Sequence, residues 1–470
     1  MRTRSLALAL ILFSTFTVAQ DNSAPKELLG TWDASLNNGT EGVFFRLEVK
    51  QHDGNLEAAV LNGTERMPFT RAQFANGVLT LRFEQYDGTL TAKLDGTAAG
   101  AKLNGKDDHG RLTGEYSRPY AKGTVQYPFV AVPTLSEQSA MELGLRLPPH
   151  LPVTVPEVWD EGHPYSPHVM SATGFTGEWL YKLLDTKGQP LETGVAELHI
   201  DDTAKATGTL IPVSGDTGLL AGEATLTELN GQRVSSSFYL TRFDGIHVML
   251  LKGDIQPDGS LGGQFESGKT ARYTFTATRK EAAKKEDQPE DPFALTKVKD
   301  PSEPFRFSAP DPRTGKAVSA SDPEFKNKVI IVDIMGTWCP NCHDEEPLLV
   351  DLYNRYHKDG LEIVGLAYEY TDDAARNARQ IEIFRKKYNV PYPILIAGTT
   401  DDGQVQKTLP QLVNFGAFPT TIFIARDGRV SKIHAGYTGP ATGERFPQVQ
   451  KELDQIVRDL LKTAATTAAR

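Results

Sequence analysis

Five Asn-Gly or Asp-Gly pairs fall within 44 residues, at 53–54, 62–63, 76–77, 87–88 and 95–96. Such pairs supply the positive φ angles that two-residue hairpin turns require. Between them the sequence alternates. "VFFRLEVK" places Val43, Phe45, Leu47 and Val49 on one side, and "VLTLRFEQ" does the same with Leu79, Leu81 and Phe83. A strand with this period buries one face only. Residues 25–123 therefore predict an antiparallel all-β module, a barrel or a sandwich.

The pattern returns over 171–279. "LLGTWDASL" (28–36) resembles "FTGEWLYKL" (175–183), which aligns Trp32 with Trp179; "QYDGTL" (85–90) resembles "RFDGIH" (242–247), and "KLNG" (102–105) resembles "SLGG" (260–263). One insertion reconciles the two spacings, so the segment reads as a second copy of the module. Chance likeness between hairpin-rich sequences is the competing explanation. Residues 124–170 are Pro-rich and read as a surface connector. Residues 280–304 are charged, lack apolar periodicity and read as a linker.

Beyond 305 the character changes. "VIIVDIM" (329–335), "LEIVGLAYE" (361–369) and "YPILIAG" (392–398) are continuous apolar runs separated by helical patterns. A hairpin follows at 421–436, then an amphipathic helix over about 444–462. This order predicts an α/β domain with a mixed sheet over 305–463, followed by a short tail, 464–470. The fold class expected is multidomain: two all-β modules, then α/β.

At the other end, Arg2 and Arg4 precede an apolar run that closes on small residues near Ala19. Residues 1–19 read as an export signal, with an uncleaved anchor as the alternative. The expected location is periplasmic or otherwise extracytoplasmic. A net charge of −10 argues against nucleic acid or anionic membrane as partner.

Only two cysteines occur, Cys339 and Cys342. In an exported chain with no other disulfide available, a lone vicinal pair reads as a working redox centre. The flanking "GTWCPNCHDEEP" also fits a c-type haem attachment, with His343 on iron. None of the six methionines follows the motif, so the common axial partner is missing. Zinc would lack a second knuckle, and "DIMGTWC" lacks the proline of a peroxiredoxin-type site.

"DPRTGKAVSASDPEFKNKVIIVDIMGTWCPNCHDEEPLL" and the later "FPTTIFIARDGRV" resemble the thioredoxin-fold TlpA/ResA-like thiol-disulfide oxidoreductases. The resemblance implies that Cys339, at the mouth of a helix, is the attacking and solvent-facing sulfur, since thiols so placed ionise more readily. Cys342 would resolve the mixed disulfide, with Pro340 and Asn341 setting the geometry between them. Asp333 matches the family's buried acid. Glu345 matches the Glu of Cys-x-x-Cys-x-x-Glu-x-Pro, although Asp344 and Glu346 beside it leave a solvated helix position equally open. Pro419 matches the cis-proline, and Phe418 before it would meet the substrate backbone. Ala417 stands where the family usually has Gly. Trp338 would shield the sulfurs. The implied partners are protein disulfides and a membrane or exported thiol donor, with the Cys339–Cys342 disulfide in place of any cofactor and membrane contact only through an uncleaved signal segment. A reading from another class makes the β modules the principal ligand- or partner-binding part, with the redox domain accessory.

Overall fold

In the first module the apolar alternation is realised residue for residue. The structure is a computed structural model, and it describes residues 24–95, 102–103, 106–107, 110–120, 123–134, 170–171, 173–225, 227–229, 232–283, 288–289 and 291–463. The expected signal segment, most of the connector and the tail lie outside them. Val43, Phe45, Leu47 and Val49 on the strand Val43–His52 are buried, as are Leu79, Leu81 and Phe83 on Val78–Phe83. Among the described residues nine strands form one antiparallel sheet that curls without closing, with Glu65–Pro68 and Arg71–Ala75 at its edges.

Two of the expected hairpin turns, at 53–54 and 76–77, have positive φ at both residues, as their tight geometry requires. The pair at 87–88 does not form such a turn; Asp87 instead caps a short 3-10 helix, Glu84–Tyr86. The connector expected from residue 124 begins later. Gly123–Pro133 is a sheet strand between Gly30–Leu36 and Arg111–Tyr120, because Tyr127, Phe129 and Ala131 alternate into the core.

The second module is a closed barrel of eight strands from Gly177–Leu184 round to Ala271–Arg279. Its interior is packed with side chains that include Trp179, Phe238, Leu240 and Phe275. The two modules repeat one device. Trp32 Nε1 donates to the Leu28 carbonyl (3.0 Å) and Trp179 Nε1 to the Phe175 carbonyl (2.9 Å), each four residues back. The third sequence match is displaced, however. Lys102–Leu103 belongs to a miniature hairpin, whereas "SLGG" opens the long strand Leu261–Ser267. Its spatial counterpart is "RLTGEY" (111–116). Leu112 and Leu261 are both buried, and a Cβ on Gly114 or Gly263 would collide with the carbonyl of Thr91 or Lys252 on the adjacent strand.

Strands Ser237–Phe243 and Val248–Ile255 belong to both cores at once. Phe238, Leu240, Met249 and Leu251 face the barrel interior, while Tyr239, Phe243, Val248 and Leu250 pack into the open module. Phe243 lies 4.8 Å from Phe45 and 4.9 Å from Tyr116, ring to ring. Removing such a ring costs about 3–5 kcal/mol, so the modules stand as one body.

The last third is a five-stranded mixed sheet in the order 394–399, 361–369, 329–335, 420–424, 430–435. The first three strands are parallel and the last two antiparallel. Part of the expected linker belongs to this body. Lys297–Val298 pairs with Leu412–Val413, Thr296 is buried, and Phe293 meets the ring of His434 at 4.9 Å.

Candidate active site

The strand Val329–Met335 is buried at every residue, which is why it reads as an unbroken apolar run. It leads through Gly336–Cys339 into the helix Pro340–Tyr356. Cys339 is the N-cap, with Pro340 at the first helical position, where its missing N–H costs nothing. Cys339 Sγ accepts from the Cys342 backbone N–H and lies against the Phe418 carbonyl, both at 3.4 Å. The Phe418–Pro419 peptide is cis. Cys339 was expected to face solvent, yet it is only 4 % exposed. Trp338 and Phe418, partly buried, pack on the core cluster that contains both sulfurs. Trp338 is held there by its Nε1–H bond to the Tyr368 carbonyl (2.8 Å), by stacking on Tyr370 (4.7 Å) and by the edge of Phe418 (5.4 Å).

Cys342 is enclosed, and burial pushes its thiol well above the usual range, with the Cys339 sulfur and Asp333 adding to the effect. Three carboxyls lie in the same interior. Asp333 has an Oδ1 with no hydrogen-bond partner; burial first, then Glu345, Glu346 and Cys339, raise it well above an ordinary aspartate. Glu345 is fully buried, which removes the solvated-helix alternative. Its Oε1 accepts from Thr421 Oγ1 at 2.6 Å while Oε2 has no partner, and burial pushes it up to about 8 despite the Thr421 bond. Thr421 is the register partner of Asp333 on the neighbouring strand, so all three groups meet. Glu346 accepts from the Tyr392 hydroxyl at 2.5 Å and is raised by burial to about 7.

Glu346 went unnoticed in the sequence because consecutive helical residues seldom share an interior. Here the helix is enclosed on several sides. Its outer flank meets the β modules. The Tyr86 ring stands edge-on to His343 at 5.2 Å, the Gly215 backbone abuts the Asn341 amide, and Asp216 accepts from the Gly439 N–H. No sequence signal pointed to these contacts. His343 itself is buried, with Nε2 2.9 Å from the Thr337 carbonyl and Nδ1 2.9 Å from the Tyr388 hydroxyl. A carbonyl only accepts, so Nε2 carries the proton and Nδ1 accepts from Tyr388. Burial lowers this histidine to about 3. Neither nitrogen is free for the iron ligation considered above. Among the described residues no group of three or more His, Cys, Asp or Glu side chains is placed to hold a metal ion.

The Redoxin family model matches residues 297–453. The thiol-disulfide oxidoreductase ResA of Bacillus thuringiensis subsp. konkukian is 33% identical over 139 residues, covering 30% of this chain and 70% of the relative. The chain belongs to the ResA-like family of thiol-disulfide oxidoreductases. A second ResA, from Geobacillus thermodenitrificans, is 30% identical over 125 residues, covering 27% of this chain and 63% of that one. Among solved structures, a thioredoxin-family thiol:disulfide interchange protein from Chlorobium tepidum TLS covers 34% of this chain and 98% of its own, with 22% identity and a TM-score of 0.27. A DsbF homologue from Corynebacterium diphtheriae covers 36% and 97%, with 16% identity and a TM-score of 0.28. The Redoxin match, residues 297–453, lies in the last third of the chain, beyond both β modules. Among the described residues no helix is long and apolar enough to cross a membrane.

Proposed function

We propose that this oxidoreductase reduces protein disulfides outside the cytoplasm through the Cys339–Cys342 dithiol. Cys339 attacks as the thiolate. A bond forms to one substrate sulfur as the substrate disulfide breaks, and the other sulfur leaves as a thiolate that takes up a proton. Glu345, in the fraction ionised near its titration at about 8, takes the Cys342 proton. The Cys342 sulfur then bonds to Cys339 Sγ as the Cys339–substrate bond breaks, and the released substrate sulfur takes up a proton. The substrate leaves reduced and the enzyme holds a Cys339–Cys342 disulfide. An exported or membrane-bound thiol donor restores the dithiol. Pro419 and Phe418 present backbone to the substrate chain, and Trp338 keeps water from the sulfurs.

The observation that carries this reading is the position of the Cys339 sulfur. It caps the helix Pro340–Tyr356, accepts from the N–H of the resolving Cys342 and lies at the Phe418 carbonyl, beside which a substrate chain would pass. The uncharged carboxyls lie on the side of the resolving thiol. The packed barrel interior and the contacts with the active-site helix support β modules that serve the redox site.

With a disulfide-bonded protein substrate, Cys342→Ser is expected to accumulate a covalent adduct that dithiothreitol releases, and Cys339→Ser to form none and lose turnover. An adduct on Cys339→Ser would overturn the assignment. A reduction potential near ~−270 mV supports the reducing direction, and one near ~−120 mV would reverse it.

A further inference from the structure

Between the redox site and the open β module runs a row of aromatic rings that the exchange chemistry does not use. Phe418, whose carbonyl touches Cys339 Sγ, meets Trp338; Trp338 stacks on Tyr370; and Tyr370 lies 5.9 Å from Tyr120. Tyr120 ends the β-module strand Arg111–Tyr120. It is 51 % exposed, one of three large hydrophobic residues so exposed among the described residues.

Arg118 lies two residues before it, on the same face of the strand. Its guanidinium carbon is 5.8 Å from the Tyr120 ring centroid, and its charge opposes the upward push of burial on the Tyr370 phenol. Arg118 is only 8 % exposed. One N–H donates to the Pro119 carbonyl at 3.0 Å, but the buried Nε has no partner, and no carboxylate pairs with this cation among the described residues. A buried guanidinium without an anion is costly to a fold. Elsewhere in the molecule Arg242, equally buried, has two carboxylates.

We propose that Arg118 and Tyr120 extend the redox site into the β module as a docking ledge for the disulfide-bearing protein itself. An extended segment of the substrate lies along Phe418, Trp338, Tyr370 and Tyr120, and a carboxylate in that segment completes Arg118. The ledge is continuous with the sulfur where exchange occurs, and its unpaired charge selects an acidic chain over a neutral or basic one. Three ring-to-ring steps correspond to about five residues of extended chain at ~3.3 Å each. The selected Asp or Glu therefore stands within about six residues of the substrate cysteine. This inference rests on the reductase reading above and names its substrate class.

The test uses the full chain and synthetic peptides with amidated ends, each carrying one mixed disulfide. A single Asp is scanned from three to six residues from the cysteine, with Asn at the same place as control. The wild-type chain is expected to show kcat/KM about tenfold higher for Asp than for Asn at one position. Arg118→Gln is expected to bring that ratio to about one, and Arg118→Lys to keep part of it. A variant that merely folds badly would slow both peptides alike and leave the ratio unchanged, which counts against the ledge. An Asp/Asn ratio near one in wild type at every position would also overturn it. Failure of wild type to reduce either peptide or hydroxyethyl disulfide would instead overturn the reductase reading beneath it.

Discussion

Two clusters of buried acid in this molecule have been driven in opposite directions. In the β modules, Asp244 accepts from Arg242 Nε at 2.8 Å, from His247 Nδ1 at 2.9 Å and from the backbone N–H groups of Ile246 and His247. Burial alone would raise it, but His247, Arg242 and these bonds outweigh that and hold the carboxyl well below the usual range. Arg242 reaches on to Glu65 at 2.7 Å, so the charged cluster ties one module to the other. In the redox domain, Asp333 is as deeply enclosed, and its charged neighbours are acids and a sulfur. Charge and burial push together there, and the group keeps its proton. A cation within reach converts a buried acid into a structural tie; its absence leaves a proton reservoir beside a thiol.

That contrast can be broken most directly by neutralising each acid. Asp244→Asn strands a buried Arg242 with one carboxylate and is expected to cost about 3–5 kcal/mol. Asp333→Asn replaces a group that is already uncharged and is expected to cost under about 1 kcal/mol. Denaturant midpoints at pH 6.5 decide the matter. Equal losses would mean that Asp333 is a structural acid after all.

For catalysis the order reverses. Glu345→Gln is expected to slow the resolving step at pH 8, where about half of the Glu345 carboxyls are ionised, by about 10²-fold, the scale of a lost general base. Asp333→Asn, which alters the acid beside it, is expected to slow it less. Asp244→Asn leaves no such signature in the pH profile. Rapid-quench measurement of the lifetime of the mixed disulfide gives the rate directly. An unchanged lifetime in both variants would remove the carboxyls from the mechanism.

Much of this site was legible because chemistry constrained single residues. Cys-x-x-Cys after a buried strand, an aspartate inside that strand and a proline before Thr-Thr each have few other reasons to be where they are. The β modules were legible through alternation and turn pairs, although the run at 123–133 was hidden by its prolines and Glu345 could not be told from a surface residue. What stayed invisible was contact between distant segments. Tyr86 on His343, Gly215 on Asn341 and Arg118 near Tyr370 involve residues 126 or more positions apart, and no local pattern encodes such separations. Glu346 is the intermediate case, since its burial follows from Tyr392 lying opposite it.

The pH dependence of stability sharpens the same contrast. Glu345 in the folded chain titrates at about 8, against an ordinary 4.5 when unfolded. Between those values the native state binds a proton that the unfolded state has lost, so stability falls as pH rises. The slope is about 1.4 kcal/mol per pH unit for such a group between pH ~5.5 and ~7.5. Glu346, at about 7, adds to the fall over the lower part of that window. Asp244 acts oppositely, and its contribution is lost only in strong acid. Glu345→Gln is therefore expected to flatten the descent toward pH 8 in chemical denaturation series, by about 2 kcal/mol between pH 6 and 7.5. A stability that rises over this window in wild type would show that the carboxyls are ionised and paired.

The smallest effect separates Glu345 from its neighbours. Thr421 Oγ1 donates to Glu345 Oε1, a bond that favours the charged carboxylate and partly offsets burial. Thr421→Val keeps the volume and removes the donor. A hydrogen bond to a charged group is worth about 1.5 kcal/mol, so the Glu345 titration is expected to move up by about one pH unit. Asp333 has no bond to this hydroxyl and Glu346 is held by Tyr392, so the direct effect falls on Glu345. The pH profile of mixed-disulfide resolution then reports which carboxyl takes the proton. A profile that shifts upward identifies Glu345. One that keeps its midpoint, while Tyr392→Phe moves it, passes the role to Glu346 and leaves Glu345 as the filler that keeps the charge out.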